Sequence, residues 1–360
     1  MKIAVVAITK HAVGLAEKTA ALLAEEGRHE AVLHLPGKFS LLRIEGQRQP
    51  YRKPLRELFG ELFSQYEGIV CIMALGIVVR VIAPYLKDKT SDPAVVAMDE
   101  MGRNVISVLS GHLGGANALA LEIAVGLGAN PVITTGTDVH GLPAIEMLAR
   151  ENGWVAEPFE LVKKVNASIV NGYKITIYSE YPLHLEPREH IEVKDFAAYS
   201  PARKEQGRVV LVTNRTAQSF PPGCLFLRPR NLCVGVGCRK GASCEEICEA
   251  VLSAIAESGR TAASVRSLAS IDIKSSEEGL LEAAGELSLP LEFFTGQAVS
   301  AVLSQRGKEL GFSELVYKKI GVGGVCEPAA ILGAGETSAL IMQKTKYGKV
   351  TVAIAEDGSR

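Results

Sequence analysis

Between Ser107 and Ala118 the chain reads S-V-L-S-G-H-L-G-G-A-N-A, a serine, a histidine and an asparagine set among glycines, with Leu113 the one bulky side chain of the turn. Apolar, β-branched Val105, Ile106 and Val108 lead in, and Leu119, Ile123 and Leu127 lead out at helical spacing. The pattern predicts a strand that breaks at glycines and restarts as a helix. Such a turn leaves backbone N–H groups unpaired, which makes it a place to hold an anion or an oxyanion. His112 is in reach as an acid or base. The plainer alternative is that the glycines only make a tight turn and His112 is a polar loop residue.

Other stretches also carry chemistry-bearing residues. Gly76 to Arg80 follows an apolar run, and T-T-G-T-D (Thr134 to Asp138) closes another. N-L-C-V-G-V-G-C-R-K-G opens a later segment with Gly237, Arg239 and Lys240. Its G-x-G invites a dinucleotide reading, but Lys240 stands where the third glycine belongs and Gly241 follows, which argues against it. Cys233, Cys238, Cys244 and Cys248 crowd together with spacing C-x4-C-x5-C-x3-C. That spacing fits neither the usual zinc nor the usual iron–sulfur pattern, so no metal site is expected. Cys244 and Cys248 fall one helical turn apart, where cysteine behaves as a small buried hydrophobe.

Size and composition describe what must position these residues. A chain of 360 residues has room for two or three domains. Its 47% hydrophobic and 22% charged residues suit a soluble globular protein with ample core. With a net charge of −1 and no Lys/Arg-rich run, nothing recruits nucleic acid. One Trp and 6% aromatics also argue against base-stacking platforms. The longest apolar run, Gly68 to Val79, is 12 residues, short of the roughly 20 that span a bilayer. The N-terminal M-K-I-A-V-V-A-I lacks a small-residue cleavage site and is read as a first strand rather than a signal peptide, with the cytoplasm as the expected location.

Strands and short helices then alternate. Strands are expected at 2–8, 31–35, 68–75, 94–98, 104–109 and 130–138, with 94–98 and 104–109 joined as a hairpin. Helices are expected at 13–26, 55–66 and 77–83 and from the glycine turn to near Gly128, and 36–54 is read as a surface loop. This alternation means an α/β fold of three-layer domains with largely parallel sheets. Ligands of such sheets sit beyond the carboxyl ends of the strands. The loops Gly76–Arg80, Ser110–Asn117 and Thr134–Asp138 are expected to share that edge. A smaller middle module follows, with helices at 142–152 and 159–170, strands at 173–178, 209–213 and 224–227, and loops over 181–206. A C-terminal α/β domain closes the chain, with strands at 232–236, 265–269 and 291–294. Its helices are expected at 243–257, 277–287, after Gly296 and at the helix that Gly321–Ala330 introduces, before a final hairpin. The expected domains are 1–140, 141–229 and 230–360.

Three blocks together resemble the CbiG family of cobalamin biosynthesis. The first runs from A-L-G-I-V-V-R-V-I-A-P-Y-L-K-D-K-T-S-D-P-A-V-V-A-M-D-E-M-G-R through S-G-H-L-G-G-A-N-A-L-A to T-T-G-T-D. The second is G-V-G-C-R-K-G, and the third is G-V-G-G-V-C-E-P-A-A with the terminal K-V-T-V-A-I-A. The C-terminal third is also similar to CobE-type proteins. The resemblance implies a cobalt-precorrin-5A hydrolase of the anaerobic route to vitamin B12. It would open the δ-lactone of a cobalt-containing, ring-contracted macrocycle and release the extruded two-carbon unit as acetaldehyde, giving cobalt-precorrin-5B. The cobalt belongs to the substrate, and no other cofactor is expected. The resemblance leaves room for transient contact with neighbouring pathway enzymes, and none for nucleic acid or a membrane.

Lactone opening needs a base for water, donors for the oxyanion and an acid for the leaving alkoxide. His112 is the expected base, and the N–H groups of Gly114, Gly115 and Ala116 are the expected oxyanion donors. Asp138 would orient His112 or cap a loop. Glu327 is a second acid/base candidate, or else a carboxylate stabilised by a helix N-terminus. Ser110 could be a nucleophile, but S-G-H is not the G-x-S-x-G elbow, so direct attack by water is preferred. Gly76, Arg80, Arg103, Ser110, Gly111, Gly114, Gly115, Asn117, Thr135, Gly237, Arg239 and Lys240 are the expected substrate-binding residues. The arginines and Lys240 would meet the acetate and propionate side chains of the macrocycle. The competing readings are a non-catalytic corrin carrier and a Rossmann-type nucleotide-binding enzyme.

Overall fold

Alternating burial organises the N-terminal half of this computed structural model, which describes residues 1–39, 46–88, 91–183, 185, 189–201, 207–307 and 309–358. The chain divides into two compact units, Met1–Met147 and Leu148–Arg360. In the first, strands β1 (Lys2–Ala7), β2 (Glu30–Pro36), β3 (Arg48–Tyr51), β4 (Gly68–Ile72), β5 (Ala94–Met98), β6 (Asn104–Leu109) and β7 (Asn130–Val132) form one sheet in the order β3-β2-β1-β4-β5-β6-β7. Helices α1 (Val13–Ala24), α2 (Leu55–Gln65), α3 (Leu75–Ile82) and α4 (Ala116–Leu127) cover it, followed by the short α5 (Gly136–Val139) and α6 (Ile145–Glu151).

Successive side chains of a strand point to opposite faces, and β1 feeds two cores accordingly. Ile3, Val5 and Ala7 pack with Ala16 and Leu23 of α1 and Leu119 and Ile123 of α4. Ala4 and Val6 pack with Phe59 and Leu62 of α2 and Val78 and Ile82 of α3. The result is the expected three-layer α/β arrangement.

Strand direction decides which loops meet. Strands β3, β2, β1, β4 and β5 run parallel. β6 turns back antiparallel to β5, with Leu109 opposite Val95, and β7 runs parallel to β6. The loop after β6 and the turn after β7 therefore lie at one edge of the sheet. Gly76, in the first turn of α3 after β4, lies at the other, roughly 17 Å away along a strand of this length. The expected convergence of three loops is thus a convergence of two. Arg103, in the β5–β6 turn, is also at the far edge.

The second unit holds two sheets. β8 (Trp154–Glu157), β9 (Ile175–Ser179), β10 (Ile191–Asp195), β11 (Arg208–Val212) and β12 (Leu225–Pro229) form one in the order β10-β9-β11-β12-β8, with only β8 antiparallel to its neighbour. Helix α7 (Phe159–Val170) packs on it. The other has β13 (Leu232–Cys238), β14 (Val265–Ile271), β15 (Leu291–Phe294), β16 (Ala339–Tyr347) and β17 (Val350–Glu356) in the order β15-β14-β13-β17-β16, the last two forming the expected hairpin. Its helices are α8 (Cys244–Glu257), α9 (Glu278–Glu286), α10 (Gly296–Arg306), α11 (Glu314–Ile320) and α12 (Cys326–Ala334).

Several expectations are corrected. β3 and β10 occupy stretches read as loops, whose positions 40–45, 184, 186–188 and 202–206 lie outside the described residues. β8 falls where no element is expected. The 130–138 strand stops at Val132 and gives way to the turn of α5, and α3 begins at Leu75, so Gly76 lies inside it instead of before it. Gly237 sits within β13 beside the expected strand residue Gly235, not in a turn after it. A Cβ on Gly235 would come within 1.8 Å of the Cys326 carbonyl oxygen, so that glycine admits α12 against the strand. Cys244 and Cys248 lie one turn apart on α8 with Sγ atoms 4.0 Å apart, packed against the apolar core as small hydrophobes.

Candidate active site

The turn after β6 is built by its glycines. Ser110 takes a left-handed backbone (φ 57°) and Gly115 another (φ 88°). A Cβ on Gly114 would meet Ser110 Cβ at 2.3 Å, and one on Gly111 would meet Asn117 Oδ1 at 2.7 Å. The turn is thereby folded onto itself, and the backbone donors of Gly115, Ala116 and Asn117 are spent internally. The N–H of Gly115 donates to His112 O (3.0 Å), that of Ala116 to Ser110 O (3.1 Å) and that of Asn117 to Gly111 O (3.0 Å). The oxyanion role expected for Gly115 and Ala116 is not open to these groups. Ser110 is likewise engaged, its hydroxyl donating to the Asp92 carbonyl at 2.9 Å, so it is not poised as a nucleophile.

What the tight turn does present is His112, held on both sides. Nε2 lies 2.8 Å from Asp138 Oδ2 and 3.0 Å from Thr137 Oγ1, while Nδ1 lies 3.0 Å from Glu146 Oε1. Ionised carboxylates only accept hydrogen bonds, so an imidazole facing one at each nitrogen satisfies both as the doubly protonated cation. The Glu146 hydrogen bond, with Asp138 adding to it, raises the His112 pKa against the opposing effect of burial. The imidazole expected as base is instead clasped by a carboxylate at each nitrogen, which favours its charged form. The two carboxylates differ in access: the Glu146 side chain is 4% exposed and that of Asp138 37%.

Asn117, in the first turn of α4, sets the outer carboxylate. Its amide donates to Asp138 Oδ2 (3.1 Å) and Thr135 Oγ1 (2.9 Å), and its carbonyl accepts from Ser107 Oγ (2.6 Å). The strand β6, the turn, α4 and α5 are thus tied into one polar cluster. Of the expected site residues, this edge gathers Ser110, Gly111, His112, Gly114, Gly115, Asn117, Thr135 and Asp138. Asp92 and Glu146 join them without having been singled out; the trace of Glu146 in the sequence is a carboxylate inside the apolar run A-I-E-M-L-A.

Three family models match in chain order: Cobalamin synthesis G N-terminal over residues 57–138, Cobalamin biosynthesis central region over 143–229, and Cobalamin synthesis G C-terminus over 232–355. The cobalt-precorrin-5A hydrolase of Priestia megaterium is 36% identical over 362 residues, covering 98% of this chain and 94% of that protein. The chain belongs to the CbiG family. A second protein called cobalt-precorrin-5A hydrolase, from Salmonella typhimurium, is 31% identical across 92% of this chain and 91% of its own length. The C-terminal part of this CbiG chain is also similar to Protein CobE of a Sinorhizobium species, 32% identical over 34% of the chain and 79% of that protein.

The remaining expected residues of this CbiG chain fall elsewhere. Gly76 and Arg103 are at the far edge of the first sheet. Arg80 is exposed in the last turn of α3, where the chain returns towards Asp92. In the second unit Gly237 lies in β13, its carbonyl accepting from Thr351 Oγ1 (3.1 Å), and Arg239 and Lys240 are exposed just beyond it. Glu327, in the first turn of α12, is 3% exposed and accepts the backbone N–H of Gly311 (2.8 Å) and of Lys344 (3.0 Å). With both oxygens taken and no access to solvent, it is a structural tie at a helix N-terminus, not an acid/base group.

Proposed function

We propose that this chain is a cobalt-precorrin-5A hydrolase, opening the δ-lactone of its cobalt-containing macrocycle and releasing the two-carbon unit as acetaldehyde to give cobalt-precorrin-5B. The observation that carries this reading is the near full-length similarity, at 36% identity, to a relative of that name. The polar cluster around His112 supports it chemically. Hydrolysis of a lactone by water needs a positioned proton donor and acceptor, and His112 with Asp138 is such a pair, 2.8 Å apart. Once the alkoxide is free as an alcohol, release of the two-carbon unit is a retro-aldol cleavage that asks only for further proton transfer. The cobalt enters as part of the substrate.

The substrate is also a polycarboxylate, which places cations around its rim. Arg80, exposed in the first unit, is the candidate for that role in this proposal. Gly76 and Arg103 drop out of it, being at the far edge of the first sheet from His112.

Incubating the protein with cobalt-precorrin-5A and trapping acetaldehyde by a coupled NADH-dependent reduction tests the proposal. Stoichiometric acetaldehyde, with the corresponding mass loss in the corrinoid, is the expected result. Binding of the corrinoid without acetaldehyde would point instead to a carrier and overturn the hydrolase reading.

A further inference from the structure

We propose that Glu146 is a positioning residue that makes His112 the proton donor of this site and leaves Asp138 as its proton acceptor. The inference rests on the hydrolase reading above and assigns the roles within it. Glu146 is among the few buried carboxylates of the first unit, with its Oε1 on His112 Nδ1 at 3.0 Å. A carboxylate withdrawn from water is tolerated when paired with a cation that hydrogen-bonds to it. The imidazolium is one such partner here. Charged groups facing His112 include Glu146 from α6 and Asp138 from α5; Thr137 adds a hydroxyl at Nε2, and Asn117 donates to Asp138. Asp138 is the member of the trio that solvent reaches.

The proton cycle closes with no further reactant. Asp138 takes a proton from the attacking water as its oxygen bonds to the lactone carbonyl carbon. The C–O bond to the ring oxygen breaks, and that oxygen receives the proton from His112 Nε2. Asp138 then returns its proton to Nε2, to which it is already hydrogen-bonded. Water has been added across the ester bond and the site is restored.

The test is a ¹⁵N-imidazole titration of the whole chain beside a pH–rate profile for acetaldehyde release. In wild type the His112 midpoint should lie above the ordinary value near 6.5, and the rate should fall as pH rises through it, because the acid is lost. Glu146→Gln should lower that midpoint by about one unit or more and carry the alkaline limb down with it, while the rate at lower pH is largely kept. Glu146→Asp should restore much of both. Asp138→Asn should depress the rate at every pH. A His112 midpoint unmoved in Glu146→Gln overturns the assignment, as does a midpoint that moves while the limb stays. If Glu146→Gln does not fold, a His112 midpoint in wild type at or below the ordinary value near 6.5 overturns it and one above that value sustains it. If wild type releases no acetaldehyde at any pH the hydrolase reading fails, and the titration alone then decides the Glu146–His112 pairing.

Discussion

Asn117 Nδ2 lies 3.1 Å from Asp138 Oδ2, the same oxygen that His112 Nε2 meets at 2.8 Å. A neutral amide on α4 therefore aims the exposed carboxylate along the bond it makes with the histidine. Asn117→Ala removes that aim and leaves the Ser107 and Thr135 hydroxyls without their partner. The expected cost is about 1–3 kcal/mol of stability, with acetaldehyde release down by about 10²-fold from misplacement of Asp138. Denaturant unfolding and turnover per folded molecule separate the two effects. Unchanged turnover would show that Asp138 needs no such alignment.

Two glycines should answer oppositely to alanine. Gly114 faces Ser110 Cβ at 2.3 Å and Ser110 O at 2.8 Å from any added Cβ, so Gly114→Ala must push the turn open. A loss of about 1–3 kcal/mol and of most activity is expected. Gly76 has nothing within 4 Å and an ordinary helical φ, so Gly76→Ala should gain about 0.5–1 kcal/mol from helix propensity. Its turnover should stay at the wild-type level if the substrate engages the His112 edge. Loss of activity in Gly76→Ala would bring the far edge back into the site.

The contrast between those glycines shows what the sequence disclosed and what it withheld. The strand–turn–helix around His112 was legible because apolar residues change period from strand to helix across Ser110–Asn117. The loop neighbours were not, although the hairpin of β5 and β6 was expected: a hairpin reverses direction, so the end of β6 cannot share an edge with the end of β4. Strands β3, β8 and β10 escaped because R-Q-P-Y, W-V-A-E and I-E-V-K-D are short edge strands with mostly exposed or half-buried residues. Their state comes from the neighbour they pair with, not from their own pattern. Glu146 carried too faint a signal for the same kind of reason, since its role depends on a histidine 34 positions away.

Two histidines of the first unit should give its stability a maximum near pH 6.5. His34 is 3% exposed, with Nε2 2.9 Å from the Tyr66 hydroxyl, and burial pushes its pKa down to about 4. Between pH 6.5 and 4 the unfolded chain protonates this group and the folded chain does not, so stability falls with falling pH, by about 3 kcal/mol in all. His112 is shifted the other way, its pKa raised first by Glu146. Its contribution is complete below about pH 6.5 and is lost as pH rises through the folded value. Urea unfolding across pH 4–8 should show His34→Gln flattening the acid limb and His112→Gln the alkaline one. An alkaline limb that survives His112→Gln would mean that His112 is not held as a cation.

Glu327 provides the sharpest contrast between a structural carboxylate and a reacting one. It ties the first turn of α12 to Gly311 and to Lys344 of β16 through two backbone N–H groups, at 2.8 and 3.0 Å. Glu327→Ala removes the acceptor from both donors, at a cost of about 1–3 kcal/mol. Glu327→Gln keeps one acceptor but turns an amide N–H towards the other donor, so it should destabilise the second unit by a smaller amount. Neither change touches the His112–Asp138 pair, so acetaldehyde release per folded molecule should match wild type in Glu327→Gln. Tryptic susceptibility or hydrogen exchange of the second unit gives the folded fraction, and the coupled assay gives the rate. A well-folded Glu327→Gln protein with turnover reduced by two orders of magnitude would return Glu327 to the reaction.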